Sequence, residues 1–200
     1  MRGRPGVSSV QARRPLKRSA GRFARDRRGA SAVEFSILAP VFLAMMMSTF
    51  EIGWFYFVNS TVDGATLGIS RQIRTGQIQG GAGFSKNEFF DEVVCPRLSY
   101  FGDCSERVTA EVMLFDSFAD LAIDNSPTTC RDDNPEDVEN IVVDPGTELQ
   151  IVRVRICLIY RTLNPAIGLN LATTEGGERR VTSTYIFRNE PYLQNIRDET

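Results

Sequence analysis

An apolar stretch of 24 residues, from Phe35 to Val58, constrains this chain more than any other feature. Ten Arg and Lys residues precede it within the first 28 positions, against a single acidic residue, Asp26. A helix of this length is about 36 Å long, enough to cross a hydrocarbon core of about 30 Å. Because Lys and Arg stay on the cytoplasmic side, the sequence predicts a single-pass membrane protein with its N-terminus in the cytoplasm.

The main alternative to a membrane span is a secretory signal peptide. Its apolar core would cover about 7–15 residues and end at a small-x-small cleavage site. The stretch in this chain is longer, and no such site follows before Asp63. Aromatic residues from Trp54 to Phe57 close the stretch, as is typical of a membrane interface. We therefore predict a span over residues 35–58, in contact with the lipid bilayer.

Two residues within the predicted span need an explanation. Pro40 removes one backbone donor and is expected to bend the helix. Glu51 places a carboxylate in or near hydrocarbon, where such groups usually face water or a protein partner. Two interpretations of Glu51 stay open: it reaches the headgroups, or it contacts another subunit's helix or an assembly platform.

The charge distribution separates the chain into two parts of opposite sign. Residues 1–29 have a net charge of +9, whereas the remainder has 13 basic and 24 acidic residues, a net charge of −11. The basic part has no interleaved aromatic residues apart from Phe23, so we predict no nucleic-acid partner. Since the chain has no histidine, Ser-His-Asp and Cys-His sites and the commonest metal ligand are excluded.

Four cysteines all follow the apolar stretch, which fits two disulfides in an oxidising compartment. Three pairings are possible, and sequence proximity favours Cys95–Cys104 with Cys130–Cys157. A zinc site is the alternative, but the spacings are irregular and no CxxC motif is present. We therefore predict disulfides and no metal.

The pattern after the span predicts an exported α+β domain. A helix over residues 30–75 is followed by a Gly-rich and Gln-rich linker, 76–84, and by the domain, 85–200. Ser85 and Glu88 have the capping-box spacing ahead of a short helix. Alternating apolar residues predict strands at Val108–Phe115, Leu149–Leu163 and Arg179–Arg188. We expect a small antiparallel sheet packed on one or two helices.

No set of residues in the exported domain assigns a nucleophile, a base and an orienting group together, so we predict neither an enzyme nor a cofactor. Acidic residues from Asp132 to Glu139 crowd one loop but lack the EF-hand spacing, which favours a solvated loop. Arg153 and Arg155 share one strand face, where they could bind an anion. A solvated face or a pairing with the acidic loop is the favoured interpretation.

The junction before the apolar stretch resembles a type IV prepilin processing site. It reads Arg28-Gly29-Ala30-Ser31-Ala32-Val33-Glu34-Phe35, followed by Leu38-Ala39-Pro40 and by Phe50-Glu51-Ile52-Gly53. This series is similar to the TadE-like minor pseudopilins of tight-adherence (Flp, type IVb) pilus systems. The closing segment Phe187-Arg188-Asn189-Glu190-Pro191-Tyr192 also resembles the end of such proteins.

The resemblance implies that a prepilin peptidase of the inner membrane cuts between Gly29 and Ala30. Glu34 would then be the fifth residue of the mature chain, and its carboxylate would pair with the terminal amine of a neighbouring subunit. The implied partners are the peptidase, other pseudopilins, the major pilin and the assembly platform, with Phe35, Pro40 and Glu51 on the assembly helix. The alternative for Glu34 is a plain interfacial acid that caps the helix N-terminus.

Two further interpretations of the whole chain stay open. One is a signal-anchored periplasmic domain, enzymatic or ligand-binding, that is not processed at Gly29. The other is an uncleaved scaffold retained in the pilus machinery. Cleavage at Gly29 separates both of these from the pseudopilin.

Overall fold

The structure is a computed structural model that describes residues 29–78, 85–163, 168–174 and 176–191. The basic segment 1–29 is the leader that cleavage after Gly29 would remove, and its residues 1–28 lie outside the described residues. Most of the predicted linker and Tyr192 also lie outside them. One long helix, α1, is followed by a series of short helical segments and three strands. The bounds are α1 Ala30–Arg74, α2 Lys86–Glu88, a π-helical turn Phe89–Val94, α3 Cys95–Leu98, a 3-10 turn Ser99–Phe101, α4 Cys104–Arg107, β1 Val108–Phe115, α5 Phe118–Ile123, α6 Pro135–Glu139, β2 Ile151–Arg161 and β3 Glu178–Arg188.

The strands form one antiparallel sheet in the order β1-β2-β3. Val108 pairs with Leu158 in β2, and Ile151 pairs with Arg188 in β3. The sheet and the helices confirm the predicted α+β class. The chain divides into two compact units, and the boundary lies inside α1, between Leu43 and Ala44.

A glycine determines where α1 ends. Gly76 has a φ of 73° and its amide donates to the carbonyl of Ile73, while the Gln77 amide donates to the carbonyl of Gln72. These bonds satisfy carbonyls that the last helical turn leaves open, and the left-handed conformation favours glycine. The helix therefore ends at Arg74, close to the stop that Thr75-Gly76 predicts.

The core of the second unit lies between α1 and one face of the sheet. From α1 it receives a stripe at helical spacing, and from β2 it receives alternate residues, all with their side chains buried. The stripe consists of Val58, Val62, Ala65, Ile69 and Ile73, and the β2 residues are Val152, Val154, Ile156, Leu158 and Tyr160. The second half of α1 is therefore a layer of the folded domain.

The helical run after residue 85 packs on the same core. Ser85 accepts a hydrogen bond from the amide of Glu88, at 3.2 Å, as the capping-box spacing predicts. The run continues through Pro96, because a π-helical turn precedes that residue. The sequence spacing predicts that Phe89, Val93, Leu98 and Phe101 line one face of a short helix, interrupted at Pro96. Phe89, Val93 and Leu98 are buried, whereas Phe101 is half-buried.

Segment 124–131 covers the opposite face of the sheet. Its Cys130 forms a disulfide with Cys157 of β2, and the hydroxyl of Thr109 donates to the carbonyl of Thr129. The second disulfide joins Cys95 to Cys104. Sequence proximity favoured both of these pairs. Because both its faces are covered, β2 is buried along nearly its whole length.

The interpretation of Arg153 and Arg155 as a solvated pair, or as partners of the acidic loop, was wrong. Both side chains are less than a tenth exposed. Arg153 pairs with Asp124 at 2.7 Å, and Arg155 pairs with Glu111 at 3.6 Å. A buried guanidinium requires a partner that compensates for the loss of water, and these carboxylates are close enough to supply it.

The acidic loop pairs with a different arginine. Arg180 of β3 contacts Asp132 at 2.7 Å and Asp133 at 3.1 Å, and these bonds raise the pKa of Arg180 above its ordinary value. All three side chains are partly exposed, so we expect a stabilisation of well under 1 kcal/mol from each contact.

The ion pair of Arg153 predicts an acid-sensitive step in stability. Hydrogen bonds from Ser126 and then from Arg153 lower the pKa of Asp124 from 3.8 to about 2. Because the native pKa is depressed, the carboxylate stabilises the fold above about pH 4, and this contribution is lost as the pH falls towards 2. We expect Asp124→Asn to flatten this part of the stability profile, measured by denaturant unfolding in detergent. Identical slopes for the variant and the wild-type chain between pH 4 and 2 would contradict the assignment.

Candidate functional site

The described part of the first unit presents an apolar surface. Residues 31–43 are exposed along the helix, except for a half-buried Ala39. The large apolar side chains are 45–72% exposed and lie on all sides of the helix. They are Val33, Phe35, Ile37, Leu38, Val41, Phe42 and Leu43. A surface of this kind needs lipid or protein around it. By length and composition, α1 is the one helix among the described residues that could cross a membrane.

Gly29 lies immediately before α1, at the exposed end of this surface. An added Cβ at Gly29 would meet no atom within 4 Å among its neighbours. Gly29 itself is exposed among the described residues. Whether a peptidase cuts there stays a prediction.

Glu34 is exposed and lies just beyond the first turn of α1. That first turn contains no acidic residue, so Glu34 is outside the turn in which the helix dipole acts most strongly. Within the described part of the chain, no ion pair includes Glu34. The role of Glu34 stays a prediction.

Pro40 lies inside α1, which continues through it without a break. Its side chain is exposed, as is that of Phe35. Pro40 has no amide to donate to the carbonyl four residues earlier, that of Ser36. The Ser36 hydroxyl donates to the carbonyl of Val33 at 2.8 Å, one turn nearer the N-terminus.

Glu51 is fully buried by residues of this chain. Its Oε2 accepts a hydrogen bond from the backbone amide of Leu163, at 2.9 Å, across a separation of 112 positions. Neither interpretation from the sequence included this contact with the chain's own backbone. The carboxylate therefore ties α1 to the connection between β2 and β3.

A second contact joins the same two segments one turn earlier. The Ser48 hydroxyl accepts from the amide of Leu169 at 2.9 Å and donates to the carbonyl of Ala44 at 2.7 Å. Gly168 has a φ of 97°, and an added Cβ would lie 2.5 Å from Ser48 Oγ and 2.6 Å from the Ala44 carbonyl oxygen. Only glycine fits this approach.

An aromatic cluster lies at the outer end of the predicted span. The rings of Trp54 and Phe57 lie 5.6 Å apart, and Phe101 lies 6.0 Å from Trp54. Tyr100 lies 6.1 Å from Phe57 and is three-quarters exposed. The Cys95–Cys104 disulfide closes the loop that carries Tyr100 and Phe101. The segment after α1 thus adds aromatic residues to those of the helix.

The segment that begins at Phe187 contacts the C-terminal end of α1. Glu190 Oε1 lies 3.2 Å from Arg74 Nε, and the Glu190 amide donates to the Arg74 carbonyl. Asn189 is buried, and its amide group donates to the carbonyls of Pro145 and Thr147. The resemblance at this segment did not predict these contacts. Buried Phe187 lies beside them at the end of β3.

A groove of about 820 Å³ lies beside the Cys95–Cys104 disulfide. Its lining mixes charges: the Lys86 ammonium donates to the carbonyls of Val138 and Glu139, and the Arg131 guanidinium lies over the ring of Phe90. Burial lowers the pKa of Lys86, and the charge of Arg131 lowers it further. Among the described residues, no three His, Cys, Asp or Glu side chains could hold a metal.

Comparison with known families supports the resemblance at the N-terminus. Residues 29–71 match the family model described as TadE-like protein. The match covers the processing motif and nearly all of α1, and it ends before the three-stranded sheet. No curated protein and no solved structure matches the chain.

The contact between Glu51 and the β2–β3 connection predicts a difference between two substitutions. We expect Glu51→Ala to destabilise the full chain by roughly 1–2 kcal/mol, because the part-buried hydrogen bond from the Leu163 amide loses its acceptor. Glu51→Gln keeps an acceptor oxygen and should lose less. Denaturant unfolding in detergent measures both, and equal losses would show that the charge rather than the hydrogen bond matters.

Proposed function

We propose that this chain is a minor pseudopilin that takes part in the assembly of a tight-adherence pilus. The match of residues 29–71 to the TadE-like family indicates involvement in such a pilus system. The pseudopilin role and the processing by a prepilin peptidase are our proposal. The observation that carries it is the exposed apolar helix with Gly29 at its start and Glu34 on its surface.

Charge supplies a mechanism for the processing step. The leader has a net charge of +9 and would hold the N-terminus in the cytoplasm. Cleavage after Gly29 would remove this charge and leave a single ammonium on Ala30. The mature helix could then move outwards at a lower electrostatic cost, with the exported domain on the periplasmic side.

A buried ion pair between subunits supplies a mechanism for assembly. In a bundle of apolar helices, a carboxylate is costly unless an opposite charge compensates for it. The Ala30 ammonium of one subunit and the Glu34 carboxylate of its neighbour would provide that pair. Their contact would set the axial register, while the apolar residues of 31–43 pack without a preferred register. The partners are other pseudopilins, the major pilin and the inner-membrane assembly platform.

The test of processing compares matched glycine variants of the full chain. With the peptidase present, we expect a mature N-terminus at Ala30, and Gly29→Val should retain the leader. Gly53→Val is the matched control, because Gly53 lies on α1 and an added Cβ would meet nothing within 4 Å there either. Intact mass and N-terminal sequencing of the membrane fraction, with and without the peptidase, measure the outcome.

An intact N-terminus in the presence of the peptidase would overturn the processing proposal. The two remaining interpretations of the chain would then be a signal-anchored periplasmic domain and an uncleaved scaffold of the pilus machinery. Cleavage of Gly29→Val at the wild-type rate would show that the glycine does not define the site.

The test of assembly separates the charge of Glu34 from its size. We expect Glu34→Gln to be processed normally but to be reduced at least tenfold in complexes cross-linked to other pilin subunits, because the compensating charge is lost. Asp63→Asn is the matched control, since Asp63 is also an exposed acid on α1. Quantitative cross-linking in membranes measures the yield, and an equal loss for both variants would contradict a specific role for Glu34.

A further inference from the structure

The 3-10 turn Ser99–Phe101 presents aromatic side chains at the surface of the second unit. Tyr100 is exposed and Phe101 is half-buried. The neighbouring exposed residues Pro96 and Gly102 have no charge. A single exposed aromatic residue is common on a protein surface and needs no explanation. Here, however, both rings belong to a cluster that includes aromatic residues of α1.

The contacts of the two rings place the turn at a defined level along α1. The ring centre of Tyr100 lies 6.1 Å from that of Phe57, which is itself about half exposed. The ring of Phe101 lies 6.1 Å from Phe57 and 6.0 Å from Trp54, one turn earlier on the helix. A surface that meets the helix at Phe57 therefore also meets Tyr100.

The exposed apolar side chains of α1 indicate where that surface is. The last of the continuous series is Phe57, and the next exposed large apolar residue on the helix is Leu67. A helix from Phe35 to Phe57 is about 33 Å long, close to the hydrocarbon thickness of about 30 Å. The exposed residues that follow include Ser60 and Asp63, which are polar. If α1 spans a bilayer, the headgroups on the exported side therefore lie near Phe57.

We propose that the turn Ser99–Phe101 docks on the phospholipid headgroups beside α1, with Tyr100 and Phe101 in the same interfacial layer as Trp54 and Phe57. This inference rests on the membrane anchoring in the proposed function. Tyrosine suits this layer, because its ring is apolar and its hydroxyl can bond to water or to a headgroup. The exported domain would then touch the bilayer at a second place besides α1, which would limit its tilt about the helix.

The backbone of the turn fits the headgroup level and no deeper level. The Ser99 amide donates to the carbonyl of Cys95, and the Gly102 amide donates to the carbonyl of Ser99 at 3.3 Å. Water at the headgroup level can bond to the remaining polar groups, whereas hydrocarbon could not. The Cys95–Cys104 disulfide closes the loop around the turn, so less conformational freedom is lost on docking.

Docking at this level would not strip water from a charge on the turn. Arg97 is the one charged residue in 96–102, and it is half-buried. Its guanidinium donates to Gln72 Oε1 at 3.1 Å and to the carbonyl of Val93. Asp103 follows the turn, and its carboxylate accepts from the amide and the hydroxyl of Ser105. The side chains left to meet the headgroups are therefore uncharged.

The test measures the depth of a single tryptophan in the full chain, reconstituted in phosphatidylcholine vesicles with the disulfides verified by mass. Trp54 is the one tryptophan of the chain, so Trp54→Phe removes the native signal. Phe42→Trp, Tyr100→Trp or Phe118→Trp is then added to this variant. Phe118 is the matched control, because it is an exposed aromatic residue beyond the far end of β1.

Three quenchers report the depth: lipids brominated near the headgroup, lipids brominated near the end of the acyl chain, and acrylamide in the water. We expect Tyr100→Trp to be quenched most by the bromines near the headgroup, and less by acrylamide than Phe118→Trp is. Phe42→Trp should be quenched by brominated lipid and protected from acrylamide. Phe118→Trp should be quenched by acrylamide alone.

The outcomes separate this proposal from the anchoring itself. If Phe42→Trp reports lipid but Tyr100→Trp is quenched by acrylamide alone, the turn faces water and only this proposal fails. Quenching of Tyr100→Trp by none of the reagents would indicate a protein contact and would also overturn it. Strongest quenching by the bromines near the chain end would place the turn in hydrocarbon, contrary to the proposal. If Phe42→Trp reports water, the anchoring fails and this proposal fails with it.

A comparison of two tyrosines in the unsubstituted chain guards against misfolded variants. Tyr100 is 75% exposed and Tyr185, on β3, is 37% exposed. If both faced water, hydroxyl radicals would oxidise Tyr100 about twofold faster, in proportion to these exposed fractions. We expect the order to reverse in vesicles, because headgroups would cover Tyr100 but not Tyr185. Peptide mapping by mass spectrometry measures both rates, and faster oxidation of Tyr100 in vesicles would overturn the proposal.

Discussion

The packing of α1 against the sheet is the contact on which the rest of the second unit depends. Each fully buried Val or Ile of the stripe contributes roughly 1.5–3 kcal/mol, and the stripe contains five buried apolar residues, from Val58 to Ile73. Among the described residues, no other helix is long enough to cover the same residues of β2. A domain that began after Arg74, without α1, would therefore expose much of one face of its sheet. The closing segment strengthens this dependence, because Glu190 binds the last turn of the same helix.

One helix thus meets two different demands. Up to Leu43, large apolar side chains are exposed on every side of the helix, which suits lipid or neighbouring helices. From Ala44 onwards one side packs on the chain's own residues while the other stays apolar as far as Phe57. Glu51 belongs to the packed side, where it ties the helix to the β2–β3 connection. Glu34 belongs to the exposed part, where the described chain offers it no ion pair. Position along the helix therefore separates two carboxylates that look alike in the sequence.

Local patterns predicted the long helix and the three strands well, but α6, Pro135–Glu139, lies in the acidic segment that was predicted as a loop. The alternation in Val108–Phe115 marks β1 at the bounds that the structure has, and the capping spacing at Ser85 marks the start of α2. Long-range partners could not be predicted in the same way. Arg153 lies on a strand face that alternation alone marks as solvated, and its burial depends on Asp124 from a segment outside the sheet. The acceptor role of Glu51 depends on a backbone amide, and no side-chain pattern reports the position of an amide.

The family match and the structure divide the chain at different places, and the difference has a physical reason. The match covers residues 29–71, whereas the compact units meet between Leu43 and Ala44. Under the proposed function, α1 would contact a membrane, neighbouring subunits and its own domain, and these contacts would restrict every face of the helix. The sheet is restricted mainly where it touches that helix, since its far side is closed by segment 124–131 and a disulfide of this chain. Many different sequences could close that far side. These weaker restrictions on the sheet are the reason we give for a match that ends at residue 71, near the end of α1.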